Sequence, residues 1–450
     1  MTKRPVRKLL SVAALTLGIT MSTVGAHAQT YTDLLNFDGT HGYSPVYPQI
    51  MAQGRDGNLY GTAPLTYGAA GVVFRLSLDG SVKVLHYFDR SDGETPYSGL
   101  VLGRDGNFLG TTFQGGTHGL GTIFKITPEG SLTTLYNFTV ADGQSEALPV
   151  QANDGDFYGT TRSTAYKISP SGAFTSLASL WSGEAVGSFS LLQATDGNFY
   201  GTTIGGGASN EGFMFKMTSQ GNITILYNFD PHAPAFTAQL AQALDGNFYG
   251  TTSQGGSYRE GVVFELTPGG AISDLHDFDP KSADGSSPDA GLVQASDGNF
   301  YGVTGSGGSM NCGVIFEIAA GGEYSILLDF DSTQGCGPGS TPIQHTNGKI
   351  YGLTGTGGTH NLGVGYGFDL GLPAFVALLP SLGRVGDTID LLGQGFTGTT
   401  SVSFNGTTAS FKVKSDTFLE AIVPGGATTG VVTVTTPSGA LSSKQPFHVR

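Results

Sequence analysis

The sequence predicts an all-β protein built from repeats, and three observations support that prediction. One phrase, best preserved as Asp297-Gly298-Asn299-Phe300-Tyr301-Gly302, recurs seven times at steps of 42 to 52 residues. A period near 50 residues marks a repeat architecture. The chain holds 72 glycines and only 12% charged residues, which is typical of short strands joined by tight turns. The third observation is an extra strand phrase near the N-terminus. The seven copies of the Asp-Gly phrase begin at Asp56, Asp105, Asp154, Asp196, Asp245, Asp297 and Asn347.

Each repeat is predicted to contain four short antiparallel strands, as the sixth repeat illustrates. Its first strand should end at the Asp297-Gly298 turn, which we interpret as a two-residue hairpin with positive φ at both residues. A glycine-rich loop follows the second strand, and a further turn precedes the fourth. The predicted strands are residues 290–295, 299–304, 314–318 and 324–330.

The extra strand phrase predicts how the array ends. A Leu-x-x-Phe-Asp phrase marks the fourth strand, and it also occurs at residues 34–38, before the first repeat. The last repeat, residues 341–369, has only three strands and lacks the phrase. We therefore expect the N-terminal strand to complete the last sheet, which would remove an exposed edge. Four-stranded units at this period describe a β-propeller, here with seven blades. An open solenoid would not predict the missing strand.

Strand direction assigns the connections to two faces. If each first strand runs downward, the Asp-Gly turns lie on the bottom face and the glycine-rich loops lie on the top face. The third repeat lacks its glycine-rich loop between residues 161 and 164, which predicts a notch in the top face. Cys312 and Cys336 both fall in top-face connections of the sixth repeat. We expect them to form a disulfide, which would persist in an oxidising compartment.

Residues 1–28 have the pattern of a signal peptide, with a basic start, an apolar stretch and a small-residue cleavage site at Ala28. An uncleaved membrane anchor is the less favoured alternative, because the apolar stretch is short. Cleavage would leave 17 basic and 35 acidic residues, a net charge of −18. We therefore expect a secreted or periplasmic monomer without membrane insertion. Neither nucleic acid nor an anionic membrane suits so acidic a chain.

From Pro373 onward the repeat phrases stop, and residues 373–450 form a separate predicted domain after the repeats at 30–370. Its motifs include Gly393-x-Gly395-Phe396, Val402-x-Phe404-Asn405-Gly406 and Pro437-x-Gly439. This stretch resembles the IPT/TIG family of immunoglobulin-like domains. The resemblance implies a β-sandwich that serves as a structural or interaction module in secreted and surface proteins.

The repeats themselves resemble the GloVer repeat family of extracellular arrays. The resemblance rests on Gly201-Thr202-Thr203 and on Gly255-Gly256 followed by Gly261-Val262-Val263-Phe264. It implies an extracellular location more than an activity.

Glutamine occurs three residues before the turn in six of the seven first strands, with Leu102 as the exception. First strands line the central channel of a propeller, so a ring of amides there could bind water or a polar ligand. The favoured interpretation is that each amide satisfies neighbouring backbone groups, because the position repeats. These residues are Gln53, Gln151, Gln193, Gln242, Gln294 and Gln344.

Candidate ligand-binding residues are predicted on the top face. Trp181, the only tryptophan, lies beside the notch, where it could stack on a sugar ring or, as we favour, fill the gap left by the deleted loop. His118 and His360 occupy equivalent glycine-rich loops, and Tyr258 and Arg259 lie in the corresponding loop of the fifth repeat. No spacing of Cys, His or acidic residues predicts a metal, and no motif predicts a cofactor.

No catalytic motif is present, and the best case for an enzyme uses two carboxylates. Glu146 and Asp289 are the only acidic residues eight positions before a turn, but they lie three repeats apart. A glycosidase pair must lie within roughly 5–10 Å. We therefore predict a secreted, non-enzymatic protein that binds carbohydrate or a cell-surface protein through its top face. The alternatives are a polysaccharide-active enzyme, either glycosidase or lyase, and a purely structural component of an envelope or matrix.

Overall fold

A computed structural model describes residues 29–45, 51–145, 147–180, 191–229, 239–281, 283–319 and 321–450. Every regular element in these ranges is a β-strand. The predicted signal peptide, Glu146 and Trp181 lie outside the described residues. Across the described ranges, no helix has the length and apolarity needed to cross a bilayer.

Each of the first six repeats forms one four-stranded antiparallel sheet whose strands follow chain order. The strands of repeats one to three are Ala52–Gln53, Leu59–Ala63, Val72–Leu76 and Val82–Tyr87; Val101–Leu102, Phe108–Thr111, Thr122–Ile126 and Leu132–Asn137; and Val150–Gln151, Phe157–Thr160, Thr164–Ile168 and Phe174–Ser179. Those of repeats four to six are Leu192–Gln193, Phe199–Thr202, Phe213–Met217 and Ile223–Asn228; Ala241–Gln242, Phe248–Thr252, Val262–Leu266 and Ile272–Asp277; and Val293–Gln294, Phe300–Val303, Val314–Ile318 and Tyr324–Asp329.

The last repeat contributes strands to a sheet that also contains the N-terminal strand, as expected from the extra strand phrase. Thr30–Asn36 pairs antiparallel with Val364–Asp369, with Thr30 opposite Asp369 and Asn36 opposite Val364. The first strand of the repeat region therefore lies in the same sheet as the last. The other strands of this sheet are Cys336–Pro338, Ile343–Gln344 and Ile350–Thr356.

The Asp-Gly turn differs from the predicted two-residue hairpin. In the first repeat the Gly54 carbonyl accepts the Gly57 N–H at 3.1 Å, and the Asn58 carbonyl accepts the Gly54 N–H at 2.8 Å. Gly57 has φ +78°, whereas Asp56 is not in the left-handed region. The turn is thus a wider loop with glycine alone at the left-handed position. The Asp56 carboxylate stabilises it by accepting the Asn58 N–H at 3.1 Å.

The rest of the repeated phrase holds neighbouring sheets together. Tyr60 donates its hydroxyl to Asp56 at 2.9 Å, and its ring stacks on Phe108 of the next repeat with centroids 4.1 Å apart. Stacking pairs at 4.1–4.2 Å also join repeats three to four, four to five and five to six. The closing glycine makes room for the third strand, because a Cβ on Gly61 would lie 2.7 Å from the Phe74 ring. These aromatic residues therefore pack between neighbouring repeats.

The repeated glutamines, which we call the glutamine belt, bond to backbone groups, and four of them accept a turn N–H of the adjoining repeat. Gln193 accepts the backbone N–H of Asn153 at 2.8 Å and donates to the Gly197 carbonyl at 3.2 Å. Gln151 and Gln242 bond in the same way. Gln53 accepts the N–H of Thr346 at 3.0 Å, which joins the first repeat to the last. The interpretation that these amides satisfy backbone groups is confirmed.

Where Leu102 interrupts the belt, arginines span the junctions instead. The Arg55 guanidinium donates to the Arg104 carbonyl at 2.7 Å. Arg104 in turn donates to the Ala152 carbonyl of the third repeat at 3.1 Å. The second repeat is therefore bonded to the first without a glutamine, whereas its junction with the third repeat contains both Arg104 and Gln151.

The disulfide predicted between Cys312 and Cys336 is present, with the two Cα atoms 4.4 Å apart. It joins the glycine-rich loop of the sixth repeat to a strand of the last sheet. This covalent link closes a loop across one junction between repeats, and such closure restricts the unfolded chain.

The C-terminal region, residues 373–450, contains two four-stranded antiparallel sheets and one parallel strand pair. Side chains from both sheets, including Leu391, Leu419, Phe404 and Val434, form one hydrophobic core. The first sheet consists of Ala377–Leu379, Thr388–Leu392, Phe418–Ile422 and Phe411–Ser415. The second consists of Thr407–Ala409, Ser401–Phe404, Val432–Thr436 and Gly439–Ser442, and the parallel pair of Leu382–Gly383 and His448–Val449.

The C-terminal region packs against the bottom face, which carries the Asp-Gly turns. Arg55 forms an ion pair with Asp390, and its guanidinium lies 4.6 Å from the Phe418 ring. Burial raises the pKa of Asp390, and the Arg55 charge opposes that rise. Lys444 donates to the Gln294 carbonyl at 2.9 Å. These contacts commit part of the bottom face to an internal interface.

We predict that Gln53→Leu destabilises the protein, because the substitution leaves the Thr346 N–H without its side-chain acceptor. An unsatisfied buried donor costs about 1–3 kcal/mol, which urea unfolding can measure. Gln220→Leu provides a matched control, since Gln220 lies in an exposed turn and contacts only Ser219. Equal losses of unfolding free energy in the two variants would contradict a structural role for the belt.

We predict that His345 makes stability fall in mild acid. This buried histidine accepts the Asn347 N–H at Nδ1 and donates from Nε2 to the Gly57 carbonyl of the first repeat at 3.0 Å, so it must be neutral. Burial lowers its pKa. The unfolded chain therefore takes up a proton first, and stability should decline as pH falls below about 6.5, by up to about 1.4 kcal/mol per pH unit.

The measurement is the free energy of unfolding between pH 7.5 and 5.5, compared with that of His345→Gln. Glutamine can make both hydrogen bonds without titrating, so the variant should lose less stability across this range. Parallel curves for the two proteins would exclude His345 as the source of the acid sensitivity.

Candidate functional site

The top-face loops share one anchor in five of the repeats. An Asn or Asp in the fourth strand accepts a backbone N–H from the glycine-rich loop, for example Asn137 from Thr117 at 2.8 Å. Such a bond fixes each loop against its own sheet. The other pairs are Asn228 with Ala208, Asp277 with Ser257, Asp329 with Ser309 and Asn36 with Thr359, at 2.7–2.9 Å.

The residue after each anchored N–H is exposed and varies from one repeat to another. At this position the second and seventh repeats carry His118 and His360, and the fifth carries Tyr258, which is 47% exposed. Arg259 follows Tyr258 and has a positive φ of 66°. The structure therefore places the predicted ligand-binding residues on equivalent loops of separate repeats. It does not gather them into one pocket among the described residues.

The two predicted carboxylates cannot be compared as a pair, because Glu146 lies outside the described residues. Asp289 stands beside the top of the fifth and sixth repeats. The Asp289 side chain is exposed to solvent, but many protein atoms surround its carboxyl group. The resulting desolvation raises the pKa of Asp289, and a hydrogen bond with Ser253 opposes that rise. Trp181 also lies outside the described residues, so its two alternatives remain predictions.

Two histidines face aspartates near the top face. His86 Nε2 lies 2.7 Å from Asp92 Oδ2, and His276 Nε2 lies 3.0 Å from Asp284 Oδ2. Burial lowers the pKa of His276, and the Asp284 charge opposes that change. In the second repeat Tyr136 occupies the same position and donates to Asp142 at 2.9 Å. In different repeats a tyrosine or a histidine bonds to an aspartate of the following connection, so these pairs hold the connections in place.

Within the parts of the chain that the structure describes, no group of three or more His, Cys, Asp or Glu side chains is arranged to hold a metal ion.

A cleft of about 380 Å³ lies on the bottom face, between the turns of repeats three to five and the C-terminal region. Its repeat-side wall includes Gln151, Gln193 and Gln242, whose amides already bond to the backbone. Much of the remaining wall is apolar, with residues 378–382 opposite the exposed side chain of Leu244. Sequence reasoning placed any site on the opposite face. It missed this cleft because residues far apart in sequence form it.

Sequence reasoning also missed two exposed tyrosines of the first repeat. Tyr67 is 65% exposed and Tyr87 is 50% exposed. Tyr87 occupies the position that holds the loop anchor in five other repeats, so the departure from that pattern was a usable signal. Beside Tyr87 lies a shallow hollow of about 700 Å³.

Comparison with solved structures shows a β-propeller-like fold. A catalytically inactive virginiamycin B lyase from Staphylococcus aureus is 12% identical, with a TM-score of 0.55, over 76% of this chain and 99% of the lyase. A fungal alcohol oxidase of the AA5 family, in complex with copper, is 13% identical, with a TM-score of 0.54, over 94% and 100% of the two chains. At these identities the likeness concerns the fold alone.

A third similar structure is an extracellular domain from B. thetaiotaomicron, described as part of a one-component system. It is 13% identical, with a TM-score of 0.53, over 92% of this chain and 48% of that one. The comparison with curated proteins gave no match. The sequence model of the Gloeobacter/Verrucomicrobia repeat matches residues 19–190 and 187–409. Because these matches span most of the sequence, the chain belongs to the Gloeobacter/Verrucomicrobia repeat family.

Proposed function

We propose that this protein is a secreted, non-enzymatic binding protein that recognises carbohydrate or a cell-surface protein through its top face. One observation carries the proposal: five loops share the same anchor but present four different types of exposed residue, which are His, Ser, Tyr and Met. A fixed loop base with a variable tip suits recognition, because the scaffold holds each tip without dictating its chemistry. The bottom face, by contrast, is partly occupied by the C-terminal region.

The proposal includes an architecture in which residues 30–370 form a closed seven-bladed propeller. The seven repeat sheets and the pairing of Thr30–Asn36 with Val364–Asp369 support it. Residues 373–450 would form an IPT/TIG immunoglobulin-like domain, which the shared core of two antiparallel sheets supports. In this architecture the immunoglobulin-like domain is a fixed base beneath the propeller.

We also propose that a signal peptide is removed near Ala28 and that the mature protein is secreted or periplasmic. The Cys312–Cys336 disulfide supports an oxidising compartment. The mature charge of −18 argues against nucleic acid and anionic lipid as partners. We expect a monomer with no cofactor and no inserted membrane segment.

A polysaccharide-active enzyme remains the second candidate, because desolvation raises the pKa of Asp289. A carboxyl group whose pKa is raised by desolvation is a better candidate for general-acid chemistry than a fully solvated one. Turnover of a polysaccharide that Asp289→Asn abolishes would replace the binding proposal with this one. A purely structural envelope or matrix component would bind no soluble partner.

We predict that the mature protein binds its source cells or their purified surface polymers, and that the triple variant His118→Ala, Tyr258→Ala, His360→Ala weakens this binding at least about tenfold. All three side chains are exposed loop tips, so the variant should unfold at the same urea concentration as the wild type. Binding is measured by pull-down and biolayer interferometry.

Lys83→Ala, Lys412→Ala and Lys414→Ala together form a control with three exposed changes away from the top face. The control should bind as the wild type does. If the wild type bound neither cells nor surface polymers, or if the triple tip variant bound unchanged, the top-face proposal would be wrong.

A further inference from the structure

We propose that the first repeat carries an aromatic platform, formed by Tyr67 and Tyr87, that binds a neutral oligosaccharide by stacking on its sugar rings. This inference deepens the proposed binding function and rests on it. It assigns a neutral oligosaccharide to the first repeat on the top face. The exposed loop tips do not by themselves indicate a ligand class.

The first repeat departs from the pattern of the other repeats at Tyr87. In five repeats the equivalent fourth-strand residue is Asn or Asp and bonds to the glycine-rich loop, but the first repeat has Tyr87. Tyr87 cannot accept the hydrogen bond by which Asn or Asp fixes the loop in those five repeats. Its side chain is also half exposed to solvent. A structural role alone would favour keeping the anchor, so the exchange indicates another use for the ring.

Both tyrosines are held against the same short segment, Gly39 and Thr40. The Tyr67 N–H donates to the Gly39 carbonyl at 2.9 Å, and a Cβ on Gly39 would overlap the Tyr67 ring. The Tyr87 hydroxyl donates to the Thr40 carbonyl at 3.3 Å. Tyr43 packs against Tyr67 with ring centroids 5.4 Å apart. The rings are therefore exposed but held in position, which limits the entropy lost when a ligand stacks on them.

A hollow beside the rings leaves space for a ligand. A shallow hollow of about 700 Å³ is lined by residues 68–70, which directly follow Tyr67, and by residues 87–90. A hollow of this size accommodates an oligosaccharide rather than a single small solute. One side of the hollow consists of small residues, Gly68, Ala69 and Ala70, so a flat ligand can approach closely there.

Polar groups surround the platform and suit sugar hydroxyls. Arg90 has a side chain that is 76% exposed and offers guanidinium donors. On the other side, Asp38 lies 2.9 Å from His41 Nδ1. Burial would raise the pKa of Asp38, but hydrogen bonds from His41 and Thr40 outweigh it and lower that pKa, so the carboxylate is ionised and accepts hydrogen bonds.

Charge argues for a neutral sugar. The mature chain carries a net charge of −18, so uronates and sulfated or phosphorylated glycans would be repelled over most of the surface. The two tyrosine rings offer little continuous apolar surface, because backbone and charged groups separate them. The surface therefore suits an apolar protein partner poorly. Tyrosine combines an apolar ring with a polar hydroxyl, as a pyranose combines C–H faces with equatorial hydroxyls.

The test screens the full mature protein against tetrasaccharides of glucose, xylose, mannose and galactose, with matched uronic-acid tetramers. Binding is quantified by isothermal titration calorimetry. We expect at least one neutral tetrasaccharide to bind in preference to the uronates. Tyr67→Ala and Tyr87→Asn should each weaken that binding at least about tenfold. Tyr87→Asn restores the residue type of other repeats, so it should fold normally.

Ile225→Ala is the control, because it removes a comparably exposed large side chain from the fourth strand of the fourth repeat, away from the loop tips. A tetrasaccharide on the platform should not need that strand, so affinity should stay within about twofold. The inference is overturned if no neutral tetrasaccharide binds, if uronates bind better, or if Tyr67→Ala and Tyr87→Asn leave the affinity unchanged. If a cell-surface protein binds while the saccharides do not, the platform is wrong but the proposed binding function stands.

Discussion

The structure depends on the hydrogen bond that four belt glutamines accept from a turn N–H of the adjoining repeat. Gln193 with Asn153 and Gln242 with Thr195 show the unit, and Gln53 with Thr346 joins the first repeat to the last. The glutamine side-chain oxygen accepts a turn N–H that has no partner in the strand pairing. One side chain therefore satisfies a backbone donor and also fixes two neighbouring sheets relative to each other. The Tyr-to-Phe stacks add apolar packing at the same junctions.

This arrangement separates scaffold from recognition. The bottom face holds the repeated turns, the belt, buried His345 and the contact of Arg55 with Asp390 and Phe418. These interactions leave little freedom for residues there to vary. The top face carries loops that are fixed only at their bases, so their tips can differ from repeat to repeat. The tyrosines of the first repeat are the clearest case, because Tyr87 replaces the anchor itself.

Much of the fold could be predicted from the sequence, because the repeated phrase encodes local chemistry. The four-stranded sheets, the pairing of the N-terminal strand and the Cys312–Cys336 disulfide follow from phrase, period and position. The turn type could not be predicted, since Asp-Gly suits both a two-residue hairpin and the wider loop capped by Asp56. The docking of Asp390 on Arg55 could not be predicted either, because 335 residues separate them and no motif marks the pair. The tyrosine platform was visible only as a departure from the repeat.

The most direct test of the account is residue-resolved amide hydrogen exchange on the folded protein. The N–H groups of Arg104, Asn153, Thr195 and Thr346 lie in turns but bond to belt glutamines. The account predicts that they are protected nearly as well as amides in the central strands, at least about a hundredfold more than exposed turn amides. Exchange of these four groups at the rate of ordinary exposed turns would contradict the claim that the glutamine belt holds the repeats together.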